Sequence, residues 1–140
     1  LQALAALPDC RLLRHSSLYR TPPAGYLDQP DFINAVAALE TPLPAHQLLT
    51  CLLRLEVEFG RQRSFRNAPR VLDLDLLLYQ GLSLSGPGLT LPHPRMHLRA
   101  FVLLPLAELA PDLLLFAGRT VQDCLAGLDT GRIVRLTDTV

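Results

Sequence analysis

The feature that most constrains this chain is an alternating run of apolar and acidic residues that follows a cluster of arginines. Residues 71–79 read Val-Leu-Asp-Leu-Asp-Leu-Leu-Leu-Tyr. Alternate side chains of a β-strand share a face, so Asp73 and Asp75 would point the same way, roughly 7 Å apart at the backbone. The pattern predicts a strand with leucines on one face and a carboxylate pair on the other.

The carboxylate pair suggests a divalent cation, and the arginines before it suggest phosphate. Burying two carboxylates on an apolar strand is costly without a counter-charge. Mg²⁺ prefers oxygen ligands and usually takes one or two protein carboxylates together with substrate phosphates. Arg66 and Arg70 lie just upstream and offer planar guanidinium groups that can clamp phosphate oxygens. The residues alone leave an alternative open, an edge strand with both acids in water.

The bulk composition predicts one domain with an aliphatic core. Of the 140 residues, 49% are hydrophobic and only 6% are aromatic. The net charge is zero, so composition gives no reason to expect nucleic acid or a membrane surface as a partner. All 13 basic residues are arginine. Cationic phosphate contacts must therefore come from arginine.

The cysteines favour a reducing compartment. Cys10, Cys51 and Cys124 form neither a metal-ligand spacing nor an even disulfide set. Reduced thiols are typical of cytosolic proteins, so we expect a cytoplasmic location. The chain also contains no run of 18 apolar residues that would predict a membrane helix.

Periodicity and breaker residues predict alternating helices and strands. Apolar residues recur at helical spacing between Pro44, which suits a first turn, and Gly60, which suits a helix end. Further helices are predicted over residues 1–7, 100–110 and 121–128, and strands over residues 11–20, 32–40, 71–79, 82–84 and 133–136.

Three blocks of the sequence, in order, resemble the 6-hydroxymethyl-7,8-dihydropterin pyrophosphokinases of folate biosynthesis. The central block is the basic turn and aspartate strand at residues 66–77. The other blocks are residues 16–23 with 28–35, and residues 91–96 with 99–103 and 105–108. Together they extend over nearly the whole chain, which makes the resemblance specific.

The resemblance implies a single domain over residues 1–140 with an α+β, ferredoxin-like fold. Such a fold has a mainly antiparallel sheet with helices packed on its faces. Members of the family begin with a strand and a Gly-rich turn, and we expect this chain to lack both. The implied reaction is transfer of diphosphate from ATP to 6-hydroxymethyl-7,8-dihydropterin with release of AMP, by a cytoplasmic monomer that binds two Mg²⁺ ions with ATP.

The resemblance also implies a role for particular residues. The catalytic set is Arg61, Arg70, Asp73 and Asp75, with both aspartates as ligands of Mg²⁺. ATP contacts are expected from Glu56, Arg63, Arg66, Arg70, Leu76, Thr90, His93 and Arg99. Pterin contacts are expected from Thr21, Pro22, Ala24, Phe32, Asn34 and Phe101.

Several alternatives stay open on the sequence alone. Glu56 could be a solvated helix acid, Phe32 a core residue, and Asn34 a satisfied amide at a strand end. The whole chain could be a non-catalytic remnant or interaction domain of the same fold. An unrelated Mg²⁺-dependent nucleotidyl transferase would use Asp73 and Asp75 but would not account for the other two blocks.

Overall fold

Helices and short, mostly antiparallel strands make up the part of the chain that the structure describes. The computed structural model describes residues 1–22, 32–60, 73–80 and 82–136. Its α-helices are α1 (Gln2–Ala5), α2 (Ala45–Gly60), α3 (Ala100–Leu109) and α4 (Val121–Ala126). Its strands are β1 (Arg11–His15), β2 (Tyr19–Thr21), β3 (Phe32–Asn34), β4 (Ala37–Glu40), β5 (Leu84–Gly86), β6 (Leu89–Leu91), β7 (Leu114–Phe116), β8 (Arg119–Thr120) and β9 (Val134–Arg135). The α+β class is therefore confirmed.

The chain divides into two compact units, each assembled from separate segments. The first unit contains Leu1–Arg11 and Glu40–His93. The second unit contains Leu12–Leu39 and Pro94–Val140. The expectation of a single domain over residues 1–140 stays a prediction.

The first unit is built on helix α2, which follows the predicted boundaries closely. Its buried residues include Ala45, Leu48, Leu52 and Leu55, which recur at intervals of three and four residues. This spacing places them on one face of the helix. Burying a leucine side chain contributes about 1.5–3 kcal/mol, so this face is a main source of the unit's stability.

An apolar cluster joins the start of α2 to the hairpin β5–β6. Ala45, Leu89 and Leu91 form its buried centre. The partly buried residues packed against that centre are Leu49, Leu76, Tyr79 and Leu84. Leu76, from the leucine face of the acidic run, therefore faces a core. Tyr79 packs there too, although strict alternation would place it on the face of the aspartates.

The second unit has its core under helix α3. Met96, Leu103 and Val121 are each 0% exposed. Met96 opens a 3₁₀ turn at Met96–Leu98, and Val121 opens α4. Helix α3 packs against both of these elements and beside β2 and β3.

Helix α4 begins at a reciprocal cap. The Thr120 hydroxyl accepts a hydrogen bond from the amide of Asp123, and the Asp123 carboxylate accepts one from the amide of Thr120. These hydrogen bonds lower the pKa of Asp123 below its ordinary value. Because the first amides of a helix have no partner within it, this pair fixes the residue at which α4 begins.

The predicted strands at residues 11–20 and 32–40 are each split in two, and Ser16 supplies the physical reason. The Ser16 hydroxyl donates to the carbonyl of Ser17 (2.8 Å) and accepts from the amide of Val36 (2.9 Å). The Ser16 amide also donates to the carbonyl of Val36 (2.8 Å). A serine side chain that takes backbone partners competes with the ladder, so both strands break at this contact.

Beyond the break, β2 is the centre of a three-stranded sheet in the order β3–β2–β9. Both pairings are antiparallel, with Tyr19 opposite Asn34 on one side and opposite Arg135 on the other. On the other side of Ser16 and Val36, β1 and β4 form a separate two-stranded sheet.

The prediction of a strand over residues 71–79 is wrong for the part that is described, because residues 73–79 have no strand pairing. The amide of Leu74 instead bonds the side chain of Glu56, and the carbonyl of Leu77 accepts from the amide of His93 (2.8 Å). Within the described residues, these contacts rather than a strand pairing hold the segment.

The hairpin β7–β8 was not predicted from the sequence. Its turn residues Ala117 and Gly118 both have positive φ, at 48° and 74°. Two-residue hairpin turns favour this conformation, but alanine at the first position is not a typical turn signal. The hairpin therefore could not be predicted from the local sequence.

The burial of Leu103 in the core of the second unit predicts how its substitution changes the stability of the protein. Leu103→Ala should lower the free energy of unfolding by about 2–5 kcal/mol, because it leaves a cavity in a fully buried site. Leu98→Ala is the control, since Leu98 is 64% exposed and its loss should cost within about 0.5 kcal/mol. Urea unfolding followed by circular dichroism measures both. Equal costs would contradict the placement of the core.

Candidate active site

The two aspartates predicted as metal ligands are exposed in the first unit, on an otherwise half-buried segment. Asp73 and Asp75 are exposed, whereas Leu74 and Leu76 between and beside them are partly buried. Exposed acids therefore alternate with partly buried leucines over residues 73–76, as predicted, but residues 77–79 do not continue the alternation and the segment has no strand pairing. The exposure of both acids agrees with the alternative in which they lie in water. The carboxylates of Asp73 and Asp75 are thus exposed to solvent, and Leu74 and Leu76 pack against the protein.

Glu56 fixes this segment to helix α2. Its residue is only 8% exposed, and its carboxylate accepts a hydrogen bond from the amide of Leu74. A buried carboxylate needs such a donor, and a buried amide needs such an acceptor. Leu74 lies between Asp73 and Asp75, so the acid of α2 holds the backbone that carries both candidate ligands.

Two more contacts hold the same segment. The amide of His93 donates to the carbonyl of Leu77, and the hydroxyl of Tyr79 donates to the carbonyl of Leu43. Thr90 lies in β6, between the buried residues Leu89 and Leu91 of the apolar cluster, and is partly buried. Of the predicted site residues of the first unit, Asp73, Asp75 and Leu76 lie in the acidic segment, and Glu56 and the His93 backbone bond to it. Thr90 does not share the face of β6 that Leu89 and Leu91 turn to the cluster, so the structure gives it no contact with the segment among the described residues.

The second unit gathers the predicted pterin contacts at the β2–β3 pair. Thr21 lies directly opposite Phe32 in the ladder, and Asn34 donates from its side-chain amide to the Thr21 hydroxyl (3.4 Å). Phe32 is 54% exposed, so it is not a core residue. Pro22 follows Thr21 and is partly buried.

The start of helix α3 supplies a further pair of predicted site residues. The Arg99 guanidinium lies 5.7 Å from the centroid of the Phe101 ring. A cation at this distance from an aromatic face is attracted to it and restrains both side chains.

The remaining predicted site residues cannot be placed. Arg61, Arg63, Arg66, Arg70 and Ala24 lie outside the described residues.

Sequence reasoning missed a hydrogen-bonded group centred on Glu108 near the end of α3. Its carboxylate accepts from the hydroxyl of Tyr19 (2.7 Å) and from the amide of Ser17 (2.7 Å). A signal was present, because Glu108 is the only charged residue among the ten residues of α3. A lone acid in an apolar helix usually has a specific partner.

Within the described residues, no group of three or more histidine, cysteine, aspartate or glutamate side chains is arranged to hold a metal ion. A cation at Asp73 and Asp75 would therefore complete its coordination with other oxygens, such as water or phosphate. Of the helices that are described, none is long and apolar enough to cross a membrane.

Comparison with known proteins identifies the family. Residues 1–111 match the sequence profile described as 7,8-dihydro-6-hydroxymethylpterin-pyrophosphokinase. The chain belongs to this family. Members of the pterin pyrophosphokinase family with similar sequences include two bacterial proteins named 2-amino-4-hydroxy-6-hydroxymethyldihydropteridine pyrophosphokinase, from Methylorubrum extorquens and Pseudomonas aeruginosa.

Both bacterial relatives match almost the entire chain at 48% identity. The alignment with the Methylorubrum protein covers 95% of this chain and 84% of the relative. The alignment with the Pseudomonas protein covers 97% and 84%. A longer protein of Pisum sativum, named folate synthesis bifunctional protein, mitochondrial, is 43% identical over 70% of this chain and 19% of its own length.

The contact between Glu56 and Leu74 makes a local prediction. Glu56→Ala should accelerate hydrogen exchange at the Leu74 amide by at least about tenfold, because the segment loses its buried acceptor and opens more readily. Glu58→Ala is the matched control, since Glu58 is an exposed acid on the same helix. The measurement is the hydrogen-exchange rate of the Leu74 amide, followed by NMR in the wild-type chain and in both variants. Unchanged protection in Glu56→Ala would show that another contact holds the segment.

Proposed function

We propose that this chain transfers a diphosphate group from ATP to the hydroxymethyl group of 6-hydroxymethyl-7,8-dihydropterin, releasing AMP, in folate biosynthesis. The observation that carries the proposal is membership of the pterin pyrophosphokinase family at 48% identity over nearly the whole chain. The exposed carboxylate pair of the first unit adds support from chemistry, because it provides oxygen ligands for a metal that accompanies a nucleotide.

The carboxylates of Asp73 and Asp75 fit Mg²⁺. They are oxygen donors on the exposed side of a segment that is anchored at Leu74 and Leu76. Mg²⁺ usually binds through one or two carboxylates and shares its remaining positions with water and phosphate oxygens. We propose that this pair holds two Mg²⁺ ions together with ATP. Bound there, the ions would neutralise phosphate charge and polarise the attacking hydroxyl.

Glu56 contributes to this site through the backbone. Its carboxylate bonds the amide of Leu74, so its part is to hold the two ligands at a fixed spacing. We propose that Glu56 belongs to the ATP site as a positioning residue. Leu76 belongs to the same segment and the His93 amide bonds to it. These two residues and Thr90 of β6 are proposed to contact the nucleotide.

The arginines are proposed to carry the positive charge of the site. Arg61 and Arg70 would stabilise the diphosphate during transfer, and Arg63, Arg66 and Arg99 would contact ATP. Guanidinium groups match phosphate oxygens with paired hydrogen bonds, and this chain has no lysine to take that part.

The proposed chemical step is a displacement at the β-phosphorus of ATP. The pterin hydroxyl oxygen forms a bond to that phosphorus and gives up its proton, while the bond from the β-phosphorus to the oxygen bridging the α- and β-phosphates breaks. AMP leaves with that oxygen. Such transfers depend on positioning and charge neutralisation rather than on covalent help from side chains.

The pterin is proposed to bind at the β2–β3 pair and the start of α3. Phe32 exposes an aromatic ring, and Phe101 would supply a second ring for the other face. Asn34 has both donor and acceptor atoms, which suit the amide-like edge of a pterin. Thr21, Pro22 and Ala24 would complete the contacts.

We further propose a ferredoxin-like arrangement of the α+β domain, a monomeric state and a cytoplasmic location. Free cysteines support the location, since Cys10, Cys51 and Cys124 are all unbridged. Antiparallel pairings of β2 with β3 and β9, and helix α3 beside them, are compatible with the arrangement.

Product analysis tests the proposed reaction. The wild-type chain, incubated with ATP, Mg²⁺ and the hydroxymethyl-dihydropterin, should form AMP only when the pterin is present. Asp73→Asn and Asp75→Asn should each lower kcat by at least about a hundredfold, because charge stabilisation by the metal contributes several kcal/mol. Asp112→Asn, which changes an exposed aspartate of the second unit, is the control and should retain wild-type turnover.

Two results would contradict the proposal. Absence of pterin-dependent AMP from the wild-type chain would favour the non-catalytic alternative. Near wild-type rates in both aspartate variants would remove the metal assignment while leaving the reaction in place.

A further inference from the structure

Glu108 forms the centre of a hydrogen-bonded group that joins helix α3 to strand β2 within the second unit. One carboxylate oxygen accepts from the Tyr19 hydroxyl at 2.7 Å. The other accepts from the Ser17 amide at 2.7 Å and from the Ser17 hydroxyl at 3.3 Å. All of these donors lie at or just before the start of β2.

Strand β9 adds a positive charge to the same group. The Arg135 Nε donates to the Ser17 hydroxyl oxygen at 3.0 Å, and a terminal nitrogen of Arg135 lies 3.6 Å from Glu108 Oε1. Arg135 is also opposite Tyr19 in the β2–β9 ladder. The carboxylate is therefore held by Tyr19 of β2, by Ser17 just before that strand, and by the counter-charge of Arg135 in β9.

The protonation states favour this arrangement at neutral pH. Burial, together with the hydrogen bond to Glu108, raises the pKa of Tyr19 to about 12. Partial burial alone would raise the pKa of Glu108, but the hydrogen bonds from Tyr19 and Ser17 and the charge of Arg135 outweigh it and lower that pKa. Tyr19 is thus a neutral donor and Glu108 an ionised acceptor, which makes a charge-assisted hydrogen bond.

The position of this group relates it to the proposed pterin contacts. Tyr19 lies directly opposite Asn34, and Thr21, two residues further along β2, lies opposite Phe32. Phe101 and Glu108 are seven residues apart in α3, about two turns, so they share one face of the helix roughly 10 Å apart. Helix α3 packs beside β2 and β3.

We propose that Glu108, through Tyr19 and Ser17, is a positioning residue that sets the spacing between Phe101 on α3 and the β2–β3 pair, and thereby the affinity for the pterin. The proposal rests on the proposed function for the identity of the ligand. It assigns Glu108 no contact with substrate. Its effect is to hold the two elements that carry the pterin residues at a fixed separation, as a planar ligand between two rings requires.

The test compares affinity for each substrate in variants of this group. Tyr19→Phe removes only the hydroxyl, and Glu108→Gln keeps the shape of the side chain but not its charge. Each should raise KM for the pterin about tenfold, the effect of losing one hydrogen bond to a charged group, while KM for ATP changes by less than about twofold. Pterin fluorescence titration should show the same loss of affinity without turnover.

Asp123→Asn is the matched control. It weakens another carboxylate–backbone hydrogen bond of the second unit, at the cap of α4, a helix that also packs against α3. It should lower Tm without changing KM for the pterin. This separates a positioning effect from general destabilisation of the unit.

The outcomes distinguish this inference from the proposed function. A wild-type chain that neither binds the pterin nor forms AMP with it would overturn both. An active wild-type chain whose Tyr19→Phe and Glu108→Gln variants bind the pterin normally would overturn the positioning role alone. So would variants that lose pterin and ATP affinity equally, as a merely structural role predicts.

Discussion

A buried carboxylate that accepts a backbone hydrogen bond holds the acidic segment on which the proposed chemistry depends. Glu56 lies on the core side of α2, and the amide that it binds belongs to Leu74, between Asp73 and Asp75. An ionised group in such a place is costly unless it is paired, and the amide would be costly without an acceptor. Because each satisfies the other, two exposed aspartates lie on a segment that pairs with no strand of the described residues.

The second unit contains the same kind of contact, a helical carboxylate that accepts a hydrogen bond from a backbone amide. Glu108 lies on an otherwise apolar helix and accepts from the amide of Ser17, as Glu56 accepts from the amide of Leu74. In both units a helical acid therefore anchors the backbone of a segment that carries candidate site residues. Rigid elements thus position the site residues, which is the condition for electrostatic catalysis and for selective binding.

The local sequence predicted helices and strands with a regular spacing of apolar residues. It failed where hydrogen bonds between residues distant in sequence determine the backbone conformation. The apolar spacing of α2 and the alternation of Asp73 and Asp75 with partly buried leucines followed from periodicity, whereas the exposure of both aspartates agrees with the alternative of acids in water. The breaks at Ser16 and Val36 could not be predicted from periodicity, because they arise from hydrogen bonds between residues 20 positions apart. Glu108 and Ser17 are 91 positions apart, so the lone acid of α3 indicates that a partner exists but not which residue it is. The family itself became visible through the resemblance of three ordered blocks, not through secondary structure.

The proposed reaction depends most on Asp73 and Asp75 holding the metal that accompanies ATP. The direct measurement is an electron paramagnetic resonance titration of Mn²⁺, in place of Mg²⁺, against the chain with a non-hydrolysable ATP analogue. The account predicts two bound Mn²⁺ ions per chain, and a large loss of binding when both aspartates are changed to asparagine. Unchanged Mn²⁺ binding in that double variant would contradict it and would place the metal on other residues.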